Sequence, residues 1–271
     1  MLHLCTYGCL LPRPLREDRG HLKCRIRLSK ATRVNLTATR YRNYLQYGLV
    51  AEILWADEAY ALNAEIIRHA KQINAHRFGA LFASLQTMIS DRQTLSITKM
   101  FDSVGGRYPT RNIPATLELL ERHDTLWQVP NRQGLHHSLI ESGADSTHLE
   151  QISNAELTRN VVVHFRDTLP DPLSATPDRL SLTLRALREA RDKLIAHNEA
   201  IERTAIQESM WDETVALVNY AKNFVATIGW GYLGEFYYGE NNDNFWATSN
   251  AKSTSISLRR LLRAAALTEA E

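Results

Sequence analysis

The chain has 271 residues, 44% of them hydrophobic and 23% charged, which is enough to bury a sizeable core, and no run approaches the roughly 18 apolar residues of a membrane span. With 12 Gly and 8 Pro there is too little turn chemistry for a many-stranded β protein. The net charge of +2 is uneven: residues 1–44 hold ten Lys or Arg against Glu17 and Asp18, so the remainder is mildly acidic and cannot hold nucleic acid by bulk charge.

Residues 1–41 read as a basic leader, expected to be disordered and set apart from the fold. All three cysteines lie in it, and Cys5, Cys9, His21 and Cys24 form C-x3-C-x11-H-x2-C, superficially a set of zinc ligands. The segment has little apolar material to fold around a metal, so free thiols in a reducing compartment are the better reading. It lacks a basic n-region ahead of an apolar h-region and is a poor secretory signal. Its Arg-rich, acid-poor composition is that of an organelle transit peptide or of sequence added by an upstream start codon.

From about Arg42 the pattern turns helical. Leu45, Leu49, Ile53, Ala56 and Tyr60 recur at steps of three and four, and Ile66, Ile67, Ala70 and Ile73 continue the stripe. A second helix is predicted over Arg77 to Ser90, then a short one that Thr94 caps and Gly105-Gly106 ends. Another short helix follows Pro114. Residues 124–145, punctuated by Pro130, Gly134 and Gly143, read as a less regular insertion. A helix from about Ser146 to Leu169 precedes Pro170 and Pro172.

Next comes a well-marked start: Thr176 as N-cap, Pro177 in the first helical position and Asp178 complementing the dipole. That helix carries Leu180, Leu184, Leu187 and Leu194 towards Arg203, and its partner carries Met210, Val215, Val218, Phe224, Val225 and Ile228. An aromatic stretch and a terminal helix around 253–266 close the chain. The expected architecture is an all-α helical bundle over 42–230, with 231–271 packed on it.

There is no Gly-rich phosphate loop, no His-Glu-x-x-His, no Gly-x-Ser-x-Gly and no recurrent Asp/Glu metal box. What remains is an Arg and a His on one helix, Arg191 and His197. An imidazole can take the proton of a 2′-hydroxyl or protonate a leaving 5′-oxygen. A guanidinium can grip a phosphate through two N–H groups and stabilise charge at phosphorus. On a regular helix, however, six residues separate the side chains by about 9 Å along the axis and roughly 120° around it. Convergence on one phosphate needs a bent helix end or two copies of the chain across a symmetric interface.

The spacing is unspecific. With 25 Arg and 10 His, roughly three matches to R-x(4–6)-H arise by chance. Four occur: Arg16…His21, Arg132…His137, Arg159…His164 and Arg191…His197. Arg159…His164 is a real competitor. A plain alternative also exists for the fourth: Arg188–Asp192 and Glu189–Lys193, spaced i, i+4, fit a salt-bridged solvated face, with His197 capping carbonyls. If Lys193 is close to His197, it would lower the imidazole pKa. Trp230, Tyr232 and Tyr238 suit base stacking, but such residues more often fill a core or a dimer seam. His136 and His137 are expected to be solvent-exposed.

The run Arg191-Asp192-Lys193-Leu194-Ile195-Ala196-His197-Asn198-Glu199 resembles the signature of HEPN domains, in which an Arg is followed directly by Asn, Asp or His and shortly afterwards by His. The stretch Phe82 to Asp102, with its Leu-Ser-Ile-x-x-x-Phe-Asp ending, resembles the AbiU2-like branch of that family. The likeness covers roughly residues 42–230 in the right order. It implies a HEPN-like bundle that dimerises with both Arg–His motifs in one cleft. It further implies a metal-independent endoribonuclease without cofactor, with Arg191, Asp192 and His197 as the catalytic residues. Such proteins serve as toxins or in abortive infection against phage, so RNA, a second copy and a cognate antitoxin are the implied partners and a prokaryotic cytoplasm the implied setting. Other members have lost activity, which makes an inactive HEPN-like module binding a partner protein or nucleotide the second expectation.

Overall fold

A computed structural model describes residues 38–105, 110–122, 129–145, 151–196, 211–237 and 248–267, and every regular element among them is helical. The leader and its cysteines lie almost wholly outside the described residues. Helix α1 (residues 38–44) passes through a π-helical turn, Leu45–Val50, into α2 (Ala51–Arg68). Leu45, Leu49, Ile53 and Ala56 are fully buried, as the periodicity requires, whereas Tyr60 faces solvent. The chain turns through α3 (Ala70–Ala75) and Arg77, whose φ of 64° lies in the left-handed region, and returns as α4 (Gly79–Phe101). α4 runs antiparallel to α2: Gln86 donates to Asn63 at 2.9 Å, and the Arg92 guanidinium lies 4.2 Å from the centre of the Trp55 ring.

α4 is one helix where two were expected. Its polar segment does not break it, because Thr94, Ser96 and Thr98 are buried on it and the Thr98 hydroxyl bonds the helix's own carbonyls at Thr94 and Leu95. Then come α5 (Ile113–Arg122) and α6 (Arg132–Glu141). The latter lies within the stretch expected to be less regular: Asn131 caps it by accepting from the Gly134 amide at 2.9 Å. α7 (Asn154–Asp167) starts later than the expected Ser146, at a capping box of Ser153 and Glu156. α8 (Arg179–Ala190) starts at Asp178, not Thr176; the Asp178 carboxylate accepts from the Ser181 amide at 2.7 Å. A π-helical turn, Arg191–Ala196, follows α8 directly. α9 (Trp211–Ile228) ends in another, Gly229–Leu233, and α10 (Thr248–Ala264) is the last helix.

The main core gathers around α9. Leu217, Ala221, Phe224, Val225 and Ile228 are buried against Leu45, Ile97, Leu120, Val161 and Leu184 from five other elements. Each fully buried Leu, Ile or Phe contributes about 1.5–3 kcal/mol. A second, smaller core joins Ile66, Ile73 and Phe82 to Leu262 and Leu267 after α10. There α10 runs parallel to α2, pinned by Glu65, whose buried carboxylate accepts from Arg259 Nε at 2.7 Å and Nη2 at 2.8 Å. Among the described residues no helix is long and apolar enough to cross a membrane.

Candidate functional site

The site is built where α4 ends and α8 gives way to its π-helical turn. Asp102 is the C-cap of α4, with an extended ψ of 147° that stops the helix. Its backbone is held from the other side by Asn112, which donates from Nδ2 to the Asp102 carbonyl at 2.7 Å. Asn112 is itself buried and accepts from the Ala115 amide at the start of α5. Arg111, next to it, lies against Gly48 in the first π-helical turn; a Cβ on Gly48 would stand 2.5 Å from the Arg111 carbonyl oxygen. The carboxylate is therefore positioned by three separate stretches of chain.

Two arginines one turn apart approach it. Arg191 donates from Nη1 to both Asp102 oxygens, at 2.7 and 3.0 Å, and from Nε to Asp192 Oδ1 at 2.7 Å. Arg188 donates from Nη2 to the Phe101 carbonyl at 2.7 Å, and its Nε lies 3.9 Å from Asp102 without a hydrogen-bond partner among the described residues. Only 21% of the Arg188 side chain and 22% of the Arg191 side chain are accessible. Of the expected solvated face, Glu189, Asp192 and Lys193 are exposed, with Lys193 4.0 Å from Glu189. Arg188 turns inward to α4 instead of pairing with Asp192.

The electrostatics differ between the two. Burial lowers the Arg188 pKa. For Arg191 burial acts the same way, but its hydrogen bonds to Asp192 and Asp102 outweigh it, and the net shift is upward. Arg191 is a secure cation held in a fixed orientation. Below it, the Phe101 ring lies 5.9 Å from Tyr220 of α9, whose hydroxyl donates to the Phe165 carbonyl at 2.7 Å.

Of the expected catalytic residues, Arg191 and Asp192 are brought together and His197 lies outside the described residues. The Arg191–Ala196 turn is not a regular α-helix, so the straight-helix separation expected for Arg191 and His197 does not apply as it stands. π-Helical turns within α-helices are frequent at functional sites. The sequence marks neither Asp102 nor Arg188 as a site residue, and it places Arg188 only on a solvated face. Asp102 closes the family-like stretch 82–102, so that stretch carried the signal.

Of the competing pairs, His164, Arg132 and His137 are engaged elsewhere. His164 Nε2 lies 3.0 Å from the Ser142 hydroxyl, which itself donates to the Leu139 carbonyl, so the ring nitrogen is read as the donor. Burial lowers its pKa, and Arg159 is exposed on the same helix. Arg132 bonds Asn154 and the Ile152 carbonyl, while His137 meets the edge of Trp230 and lies 3.3 Å from Glu141. His137 is exposed as expected; His136 is not, since its Nε2 is buried without a partner among the described residues. Arg16 and His21 lie outside the described residues.

Of the described part of the aromatic stretch, two tyrosines belong to the core. Tyr232 and Tyr237 are buried, and Tyr232 donates to Thr158 Oγ1 at 3.0 Å. Trp230 packs on Phe236, and Tyr238 lies outside the described residues.

The all-helical architecture is that expected of a HEPN-type module. The family model HEPN_AbiU2, described as AbiU2, matches residues 39–251; the chain belongs to the AbiU2 family of HEPN proteins. No curated protein and no solved structure matches it.

Proposed function

We propose that this protein is a metal-independent HEPN endoribonuclease acting as a homodimer, in the setting of toxin activity or phage defence in a prokaryotic cytoplasm. The observation that carries this reading is the Asp102–Arg191–Asp192 clamp, a shielded cation fixed at the head of the turn that leads to His197. A guanidinium has five N–H donors. Among the described residues the two carboxylates engage Nε and Nη1, and in the proposed complex Nη2 donates to a non-bridging phosphate oxygen.

In the proposed reaction His197 takes the proton from a ribose 2′-hydroxyl, and the 2′-oxygen attacks the adjacent phosphorus. The bond from phosphorus to the 5′-oxygen breaks, and the leaving oxygen takes a proton from an imidazolium, the His197 of the second copy. The products are a 2′,3′-cyclic phosphate and a 5′-hydroxyl end. Arg191 stabilises the charge that builds on the phosphoryl oxygens, and pre-aligned donors are effective because they need no reorganisation during the reaction. Asp192 holds Arg191 in register.

The deciding assay compares wild type, His197→Ala and Arg191→Ala for RNA cleavage in EDTA and for growth inhibition. Cleavage confined to the wild type, with cyclic phosphate ends, is the expected result; equal cleavage by His197→Ala removes that residue from the mechanism. A second reading, an inactive HEPN-like module binding a partner or nucleotide, draws on the same clamp, because two carboxylates already neutralise Arg191. It predicts no EDTA-resistant cleavage by any form.

A further inference from the structure

Arg188 carries a charge that its surroundings do not answer. Its side chain is largely buried, yet its one hydrogen bond among the described residues runs from Nη2 to the Phe101 carbonyl. Nε is enclosed and has no partner there. Nη1 makes no hydrogen bond among the described residues either, but is not enclosed as Nε is. Buried charges are ordinarily paired and hydrogen-bonded, because an unpaired one forfeits its hydration. Capping one carbonyl at the end of α4 needs only a neutral donor, so that bond does not account for a guanidinium.

Three carboxylates face Arg188, and each is committed elsewhere. Both oxygens of Asp102 accept from Arg191 Nη1, and Asp192 accepts from Arg191 Nε. Asp171, in the turn before α8, accepts from the Leu173 amide at 2.9 Å. Burial, together with repulsion from Arg191, outweighs the attraction of all three and lowers the Arg188 pKa. Arg191 has two carboxylates to repay its burial; Arg188 has an unfilled place for an anion. The two arginines are three positions apart, and such side chains start about 5–6 Å from each other on a helix. That is close to the repeat of phosphates along an extended single strand.

We infer that Arg188 holds the phosphate next to the scissile one, so that the site grips two consecutive phosphates of a single RNA strand, one through Arg191 and one through Arg188. The inference rests on the nuclease reading above for its ligand. Arg188 is then a binding residue that sets the register of the strand, and the proton transfers stay with His197.

The test uses the full chain and a fluorescein-labelled DNA heptamer with one ribonucleotide at its centre, in versions for all four bases. The single 2′-hydroxyl defines the scissile phosphate. In companion strands the phosphate on its 5′ side or on its 3′ side is a neutral methylphosphonate. Binding is read by anisotropy with the central 2′-oxygen methylated, which blocks cleavage. Neutralising one of the two flanks should weaken wild-type binding about tenfold, the value of one hydrogen bond between charged groups. Arg188→Ala should lose as much on the fully charged strand and nothing further on that neutral one. Its slope of log affinity against log salt should also be shallower by about 0.7, the share of one single-strand phosphate contact, which a residue that only caps a helix would not move. Arg188→Lys should keep the slope. Circular dichroism fixes an assay temperature at which both variants are folded.

Failure of the wild type to bind the charged strand, or equal binding of the charged strand and both neutral-flank strands, overturns the proposal without any variant. A flank effect that persists undiminished in Arg188→Ala also overturns it. Flank-dependent binding with no cleavage of any ribonucleotide strand upholds the phosphate subsite and sinks the nuclease reading. Cleavage with no flank dependence does the reverse.

Discussion

Arg191 and Asp102, 89 positions apart in the chain, form a two-oxygen ion pair from a single guanidinium nitrogen, at 2.7 and 3.0 Å. The pair joins the end of α4 to the beginning of the π-helical turn after α8. Asp102 thereby becomes a positioning residue for the proposed chemistry.

Asp102→Asn should keep the shape of the site and lose the charge. RNA cleavage should fall about 10–100-fold, the usual cost of losing a group that orients a functional one. Stability should fall by about 1–2 kcal/mol. Single-turnover cleavage and urea unfolding check the two effects separately. Arg191→Lys should be as damaging as Asp102→Asn, because a point charge cannot engage two carboxylates in one plane.

Gly48→Ala tests the same positioning from a distance. The new methyl would lie 2.5 Å from the Arg111 carbonyl oxygen, a backbone atom that cannot swing aside. Overpacking of this kind costs about 1–3 kcal/mol. The displaced Arg111 also pulls on Asn112 and hence on the Asp102 carbonyl. Cleavage per folded molecule should therefore drop as well as stability, measured by activity at a temperature where circular dichroism shows full folding.

The Glu65 clamp should make folding acid-sensitive. Hydrogen bonding from Arg259, first among its partners, holds the Glu65 carboxyl down to about 2, against an ordinary 4.5. The folded pKa is depressed, so the stabilisation is present above pH 4.5 and is lost as pH falls from there towards 2. Unfolding curves across that range should be steeper in pH for wild type than for Glu65→Gln. Arg259→Met, which removes the two-nitrogen partner of the buried carboxylate and leaves it Arg68, His69 and Ser255, should cost about 1.5–3 kcal/mol near neutral pH.

His164 gives a second pH-dependent signature. Burial lowers its folded pKa below 6.5, so the unfolded chain binds the extra proton first and stability declines as pH falls through that range. Proton NMR of the imidazole should show the lowered titration. His164→Gln should leave RNA cleavage unchanged; a selective loss would move the site to the Arg159 pair.

Much of the bundle was legible because burial leaves a periodic trace. Leu45, Leu49, Ile53 and Ala56 repeat at helical steps, and all four are buried. Local start signals were legible in kind but not always in position. Asp178, two residues after the expected cap, is the one whose side chain reaches an open amide. Ser153 and Glu156 spell a capping box that fixes the start of α7. Polar residues at 94–98 misled, since their hydroxyls are satisfied inside a continuous helix. Within the site, Arg191 and Asp192 could be chosen from a short motif. Asp102 could not be assigned its role, because nothing local distinguishes a carboxylate that caps a helix from one that also reaches a guanidinium 89 residues away.

The π-helical turn at Arg191–Ala196 holds one residue more than the α-helical path would use. Deleting a single residue there would let the backbone relax into an uninterrupted helix. The Asp102 contact, upstream of the change, would survive. Everything after Ala196 would be drawn in by about 1.5 Å and rotated by about 100°. The turn thus acts as a phase setting between the guanidinium and the chain that follows, adjustable by insertion or deletion without touching either end.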